Sequence, residues 1–142
     1  MLRVVIEPNV LVSSMISKKG APAFLTRAWS ERLFDLVISE AIIAEIERVL
    51  SEHRLKQAFN ISDDHIARLV ELLRKNSILV PGSAAVAGAV PADPADEMFL
   101  AAALDGNADV IVSGDKDLLE IESFRGIAII TPRQFLDRTQ GQ

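Results

Sequence analysis

Residues 1–14 read MLRVVIEPNVLVSS, and the fold prediction starts from this segment. Leu2–Ile6 is a short apolar run with β-branched residues, which predicts a buried strand, and Pro8 closes it. The apolar pattern resumes after Asn9, where it predicts the start of a helix. A carboxylate and an amide, Glu7 and Asn9, therefore stand where the strand ends. They are either ordinary turn residues or one corner of a functional site.

Farther along the chain, apolar runs alternate with helical patterns. The runs are unbroken, which is typical of parallel strands that are buried on both faces of a sheet. The predicted strands are Leu2–Ile6, Phe34–Ile38, Ser77–Val80, Ala108–Val112 and Ile127–Ile130; the predicted helices cover residues 10–17, 22–31, 40–52, 63–75 and 95–104 and begin again at Pro132. Residues 53–60 are predicted to be a connector and residues 81–94 a loop. The pattern predicts an α/β fold, a three-layer α/β/α sandwich around a central parallel sheet of four to five strands.

The composition narrows the classes of function. The chain has 142 residues, of which 49% are hydrophobic, so we expect a single folded domain over residues 1–142. The net charge of −5 and the 5% of aromatic residues count against an unassisted nucleic-acid binder that stacks bases. Cysteine is absent, which excludes disulfides and is compatible with the cytoplasm, where we expect the protein. No apolar stretch approaches the roughly 18–20 residues of a membrane span, so no membrane association is expected.

Acidic residues gather at the edge of the predicted sheet where its strands end. Glu7 follows the first strand and Asp115 follows the fourth, at the edge where parallel sheets bind ligands. Hard cations such as Mg²⁺ and Mn²⁺ prefer oxygen ligands, and unpaired carboxylates repel one another unless a cation binds or one of them is protonated. These acids and their polar neighbours predict a divalent metal site, and the candidates are Glu7, Asn9, Ser39, Glu45, Asp93, Asp96, Ser113 and Asp115.

Most of these acids also have a purely structural interpretation. Asp93 is a suitable helix N-cap and Asp96 occupies the capping-box position, and such capping is worth about 1 kcal/mol. Asp115 and Asp117 are typical turn residues. Glu7 is placed to cap the following helix. The convergence of several acids on one edge of the sheet favours the metal site over these separate explanations.

Glu45 is ambiguous on the helical pattern alone. Glu45 and Glu47 border opposite sides of the apolar stripe that contains Ile42, Ile46 and Val49. Solvent exposure is the ordinary state of a helical glutamate, so the spacing does not choose between the two.

Five segments carry the motifs described above, and they follow one another along the chain: IEPNVLVSSMISKKGAPAFL from Ile6, LVISEAIIAEIERVL from Leu36, DPADEMFLAAAL from Asp93, ADVIVSGDKDLL from Ala108 and IAIITPRQFL from Ile127. They resemble segments of the PIN-domain nucleases, in particular the toxin-like branch related to VapC toxins. Any one of these segments is a weak signal, but five in the same order are specific. The resemblance runs from Val4 to about Phe135, which is nearly the whole chain.

The resemblance implies an endoribonuclease that depends on Mg²⁺ or Mn²⁺, with a cognate antitoxin as its protein partner and commonly a homodimeric state. By position, the family's main acidic residues fall on Glu7, Glu45, Asp96 and Asp115, its supporting acids on Asp93 and Asp117, and its orienting polar residues on Asn9 and Ser113. The family pattern thus favours Glu45 over Glu47.

The first acid departs from the family pattern, which nearly always has Asp where this chain has Glu7. Glutamate is one methylene longer, and Mg²⁺ requires near-octahedral geometry. A displacement of about 1 Å at a reacting centre can cost roughly a hundredfold in rate. The alternative function is therefore a catalytically weak or inactive PIN-fold binding module. A phosphotransfer domain fits less well, because it needs a nucleophilic aspartate where Glu7 stands.

Two lysines are candidates for contacts with RNA phosphates. Lys18 lies in the segment after the first strand, and Lys116 follows Asp115. Contacts of this kind would make the affinity depend on salt concentration. The alternative interpretation is that both lysines serve only solubility.

Overall fold

The computed structural model describes residues 1–17 and 20–140. Within these ranges the strands are β1 (Arg3–Ile6), β2 (Asp35–Ser39), β3 (Ile78–Val80), β4 (Val110–Val112), β5 (Ser123–Phe124) and β6 (Ile127–Ile130). They form one six-stranded sheet in the order β3-β2-β1-β4-β6-β5, and each neighbouring pair is parallel except β5 with β6. The predicted α/β fold with a largely parallel central sheet is confirmed.

Helices flank this sheet. Within the described ranges they are α1 (Pro8–Ile16), α2 (Gly20–Ser30), α3 (Glu40–Leu50), α4 (His53–Phe59), α5 (Asp63–Asn76), α6 (Glu97–Asp105), α7 (Lys116–Leu119) and α8 (Pro132–Gln140). Helix α6 packs against β1, β2 and β4, and α1 packs against α2 and α3. Across residues 1–17 and 20–140, no helix combines the length and the apolar character that crossing a membrane requires.

The register of β1 with its neighbours aligns the carboxyl ends of the inner strands. Val4 pairs with Leu36 of β2 and with Val110 of β4, and Ile6 pairs with Val112. These strands carry apolar side chains on both faces because both faces of the sheet are covered, and all five of these residues are buried. The residues that follow β1 and β4 therefore emerge at one edge.

Three short elements differ from the prediction. The connector predicted at residues 53–60 is wrong, because His53–Phe59 forms α4 and the chain leaves it at Asn60 in the left-handed conformation. Helix α7 and the antiparallel strand β5 were not predicted. Elements of two to seven residues contain too few positions to show a periodicity, and contacts with the rest of the fold determine them.

A close helix–strand contact occurs at Gly106, which follows α6. A Cβ atom built on Gly106 would lie 2.5 Å from Cγ1 of Val37, a side chain that is fully buried in β2. The φ angle of Gly106 is −94°, which any residue adopts. The requirement for glycine at this position is therefore steric and not conformational.

We predict that Gly106→Ala lowers the free energy of unfolding by about 1–3 kcal/mol, the usual cost of overpacking a core. Urea denaturation monitored by circular dichroism measures this change. In a Val37→Ala background the added methyl group has room, so Gly106→Ala should cost less than about 1 kcal/mol there. An equal cost in both backgrounds would contradict the steric explanation.

Candidate active site

The carboxyl ends of β1 and β4 bring Glu7 next to Ser113. The backbone N–H of Glu7 donates a hydrogen bond to the carbonyl oxygen of Val112 at 3.0 Å. The two segments thus leave the sheet side by side, one toward α1 and the other toward α7. Glu7 is 6% exposed and Ser113 is fully buried, so both polar side chains lie inside the protein at this edge.

The carboxylate of Glu7 is held by three hydrogen bonds. Its Oε1 atom accepts from the hydroxyl of Ser113 and from the backbone N–H of Gly114, each at 3.4 Å, and its Oε2 atom accepts from Nδ2 of Asn9 at 3.4 Å. Burial raises the pKa of Glu7 and the nearby charge of Asp115 adds to this rise, whereas the three hydrogen bonds oppose it. Glu7 does not cap α1 with its side chain.

Asp115 is placed by hydrogen bonds at the start of α7. Its backbone N–H donates to the hydroxyl oxygen of Ser113 at 2.9 Å, and its Oδ1 atom accepts from the backbone N–H of Asp117 at 2.9 Å. Asp115 is therefore the N-cap of α7, a helix that the turn interpretation of this segment did not include. Asp117 takes part in this contact through its backbone.

Asp93 and Asp96 lie at the two ends of one turn but have different surroundings. Asp93 is the N-cap of the 3₁₀ turn Pro94–Asp96, and its Oδ1 atom accepts from the backbone N–H of Ala95 at 3.2 Å. Asp96 makes no side-chain capping bond. It is 6% exposed, and its Oδ2 atom is buried with no hydrogen-bond partner among the described residues. Capping therefore accounts for Asp93 and not for Asp96.

The structure brings three of the predicted acids together. Asp93, Asp96 and Asp115 each contribute one carboxylate oxygen to a group in which all the oxygens lie within 4.8 Å of one another. We call these residues the aspartate cluster. Burial raises the pKa of Asp96 to about 8, and the adjacent carboxylate of Asp115 and the charges of Asp93 and Glu7 act in the same direction. In the absence of a cation, the cluster thus retains a proton near neutral pH.

The aspartate cluster suits a hard divalent cation. Its donors are all carboxylate oxygens, and one of them, the Oδ2 atom of Asp96, is buried without a partner. Such an atom carries a desolvation cost that a ligand can remove. None of the three carboxylates forms an ion pair with a lysine, arginine or histidine of the described residues.

The structure places Glu45 outside the aspartate cluster. Its side chain is 33% exposed, and its carboxylate accepts two hydrogen bonds from Nε of Arg48, at 3.1 and 3.3 Å, and one from Nη2 at 3.1 Å. Glu47 is exposed on the same helix.

The predicted N-cap Ser39 is confirmed, since its hydroxyl oxygen accepts from the backbone N–H of Ile42 at 3.2 Å.

Of the two lysines predicted to contact RNA phosphates, the structure describes Lys116. Lys116 is 87% exposed, with Nζ 3.9 Å from a carboxylate oxygen of Glu120 on the next turn. Such an exposed pair is worth little, so Lys116 is free to exchange it for another anion. Lys18 lies outside the described residues.

A cleft of about 360 Å³ opens beside Glu7 and Asp115, and Asn9 also lines it. Four other lining residues were not predicted as site residues: Val10, Ser13, Gly114 and Pro132. The helical period offered a signal for Ser13, because it lies four residues after Asn9 and therefore on the same side of α1. Gly114 contributes only its backbone N–H, and its place between Ser113 and Asp115 was the available signal for it.

Comparisons with known proteins place this chain in a family. This chain resembles one chain of a crystal structure of VapBC2 from Rickettsia felis, in which VapBC2 is bound to a DNA fragment from its promoter. The two chains superimpose with a TM-score of 0.59 and share 13% sequence identity. The match covers 92% of this chain and 98% of that chain, and at this identity it shows the shared fold. No curated protein matches by sequence. A PIN domain family model matches residues 3–117, well over half of the chain. The chain is therefore a member of the PIN domain family.

Proposed function

We propose that the protein is a metal-dependent endoribonuclease that hydrolyses RNA phosphodiester bonds, and that it is the toxin of a toxin–antitoxin pair. PIN domains are generally nucleases, and this membership supports the reaction class. The observation that carries the proposal is the buried, unpartnered Oδ2 atom of Asp96 inside the aspartate cluster. A buried carboxylate oxygen without a partner at the sheet edge supports the binding of a cation there.

Asp93, Asp96 and Asp115 would hold Mg²⁺ or Mn²⁺. When bound, such an ion lowers the pKa of water and neutralises charge on the phosphodiester. Glu7 is the fourth acid of the edge, and it is close enough to influence the pKa of Asp96. We also propose Asn9, Ser113 and Asp117 as supporting residues, since each forms a hydrogen bond with Glu7 or Asp115.

The substrate would enter the cleft that Asn9, Ser13 and Asp115 line. Lys116 follows Asp115, which lines the cleft, and is exposed, so we propose it as a contact for a substrate phosphate. Lys18 is proposed for the same role from its place in the sequence. Hydrolysis adds water to the phosphorus and releases a protonated oxygen leaving group. The assignment of RNA as the substrate rests on the resemblance to VapC-like proteins.

The proposed partners also rest on that resemblance. A cognate antitoxin is supported in addition by the fold shared with a chain of the VapBC2 structure. We propose a homodimer as the free state of the protein and the cytoplasm as its location.

Two observations favour the second candidate, a catalytically weak or inactive PIN-fold binding module. Glu7 stands where the family nearly always has Asp, and Glu45 is paired with Arg48 and not with the aspartate cluster. In this case the aspartate cluster would bind a cation without cleaving RNA. Measurements of Mn²⁺ binding and RNA cleavage on the same preparation separate the two candidates.

We expect Mn²⁺-dependent cleavage of RNA by the wild type, and at least a hundredfold slower cleavage by Asp96→Asn and by Asp115→Asn. Each substitution keeps the shape of the side chain and removes a charged ligand. Asp64→Asn is the matched control, because Asp64 is exposed on α5, and it should cleave within twofold of the wild type. Gel analysis of a panel of RNAs measures the rates. Unchanged cleavage in both cluster variants would overturn the proposed site.

We predict that Glu45→Gln slows the Mn²⁺-dependent cleavage at least tenfold and that Glu47→Gln changes it less than twofold. Both substitutions remove a glutamate from α3, so the comparison isolates the role that the family pattern implies for Glu45. A contribution of Glu45 requires that its exposed ion pair with Arg48 opens, which costs little. Equal rates for the two variants would exclude that role.

The raised pKa of Asp96 predicts how stability depends on pH without metal. The folded state binds a proton more tightly than the unfolded state, so this stabilising contribution is complete below about pH 4 and is lost as pH rises through about 8. In EDTA, the Tm of Asp96→Asn should therefore exceed that of the wild type at pH 9 by at least about 3 °C, which corresponds to about 1 kcal/mol. The difference should shrink toward pH 5. A difference that does not vary with pH would contradict the prediction, and Asp64→Asn provides the baseline.

A further inference from the structure

Glu7 does not belong to the aspartate cluster. Among residues 1–17 and 20–140, the group of three acids whose oxygens all lie within 4.8 Å of one another consists of Asp93, Asp96 and Asp115. Glu7 is as deeply buried as Asp96, since both are 6% exposed. Glu7 and Asp96 are thus equally buried, although only Asp96 belongs to the aspartate cluster. The burial of Glu7 is therefore no evidence that it is a metal ligand.

The hydrogen bonds of Glu7 also distinguish it from Asp96. Both oxygens of Glu7 accept hydrogen bonds, from Ser113 and Gly114 on one side and from Asn9 on the other. The Oδ2 atom of Asp96 accepts none from the described residues. A carboxylate with satisfied oxygens gains less from a cation than one with an orphaned oxygen, because it must give up existing partners.

Ser113 connects Glu7 with Asp115. A hydroxyl group has one proton to donate, and Ser113 donates it to Oε1 of Glu7. The lone pairs of the same oxygen remain free to accept the backbone N–H of Asp115, at 2.9 Å. Ser113 is fully buried, so solvent does not compete for its hydroxyl group. Ser113 therefore bridges the carboxylate of Glu7, at 3.4 Å, and the backbone N–H of Asp115 at the start of α7.

We propose that Glu7 is a positioning residue: it accepts the hydroxyl proton of Ser113, orients Asp115 toward the aspartate cluster, and stays outside the direct ligands of the cation. This inference rests on the proposed metal site and concerns the division of roles within it. The carboxylate of Glu7 also accepts the backbone N–H of Gly114 on the neighbouring segment, at 3.4 Å.

Glu7→Gln and Glu7→Ala separate the two roles. In the first variant the side-chain amide oxygen still accepts from Ser113 and Gly114, but the charge of a ligand is gone. The second variant removes the acceptor itself. Ser113→Ala removes the link while leaving Glu7 in place, and Asp96→Asn is the reference for the loss of a ligand. Mn²⁺ titration followed by electron paramagnetic resonance measures the Kd, and water-proton relaxation counts the water molecules on bound Mn²⁺.

We expect the Kd of Glu7→Gln to remain within about threefold of the wild type, with an unchanged number of water molecules on Mn²⁺. Glu7→Ala and Ser113→Ala should weaken Mn²⁺ at least tenfold, the usual effect of losing a residue that orients a metal ligand. In both, the amide hydrogen of Asp115 should exchange at least tenfold faster in metal-free protein, since its acceptor is displaced or absent. Asp96→Asn should weaken Mn²⁺ at least tenfold and leave that exchange rate unchanged.

Two outcomes would overturn this inference. If Glu7→Gln weakens Mn²⁺ as much as Asp96→Asn and adds a water molecule to the ion, Glu7 is a direct ligand. If Ser113→Ala and Glu7→Ala bind Mn²⁺ like the wild type, Glu7 does not position Asp115. Should Glu7→Ala fail to fold, Glu7→Gln and Ser113→Ala still decide the question. Wild-type affinity in Asp96→Asn would instead reject the metal site, and the exchange rate at Asp115 would then test the link between Glu7 and Ser113 independently.

Discussion

The parallel pairing of β1 with β4 is the constraint on which the candidate active site depends. In the observed register Ile6 stands beside Val112, so Glu7 and Ser113 leave the sheet at the same edge. Side chains of a strand alternate between the two faces, and a slip by one residue would turn each of them to the opposite face. Close packing of side chains of different shapes on both faces opposes such a slip. The geometry of the polar edge is therefore a consequence of core packing.

This edge concentrates more negative charge than the surrounding residues neutralise. Asp96 is buried next to Asp93 and Asp115, and its pKa is raised to about 8 by burial and by its neighbours. Such an arrangement lowers the stability of the folded protein, and the rest of the core must offset it. Helix capping does not account for the burial of Asp96, which lowers the stability of the folded protein. A bound cation would account for it, because it would neutralise the charge of the aspartate cluster.

The hydrogen-bond partners of an acid indicate its role better than its burial does. Asp96 and Glu7 are equally buried, yet one has an orphaned oxygen and the other has none. Glu45 shows the same point in an exposed setting, where Arg48 occupies its carboxylate. The acids at this edge are thus chemically alike in the sequence but differ in what remains available to a ligand.

The parallel strands and two of the helix N-caps could be predicted from the sequence. Unbroken apolar runs predicted the parallel strands, because strands covered on both faces need no polar positions. Ser39 and Asp93 predicted helical starts, because capping is a contact between residues two or three positions apart. The short elements α4, α7 and β5 could not be predicted in this way, since their few residues have no period and depend on contacts with the folded protein.

What the residues could not reveal is which distant side chains meet and which of their atoms stay unpaired. The sequence presented the acids as equivalent candidates, whereas the fold joins Asp93 and Asp96 to Asp115 and leaves Glu45 with Arg48. It also turns the hydroxyl of Ser113 toward Glu7. These outcomes depend on how α3 and α6 pack on the sheet and on how the loop after β4 bends. Both are set by long-range burial and by hydrogen bonds between segments that are far apart in the chain, and no local pattern records them.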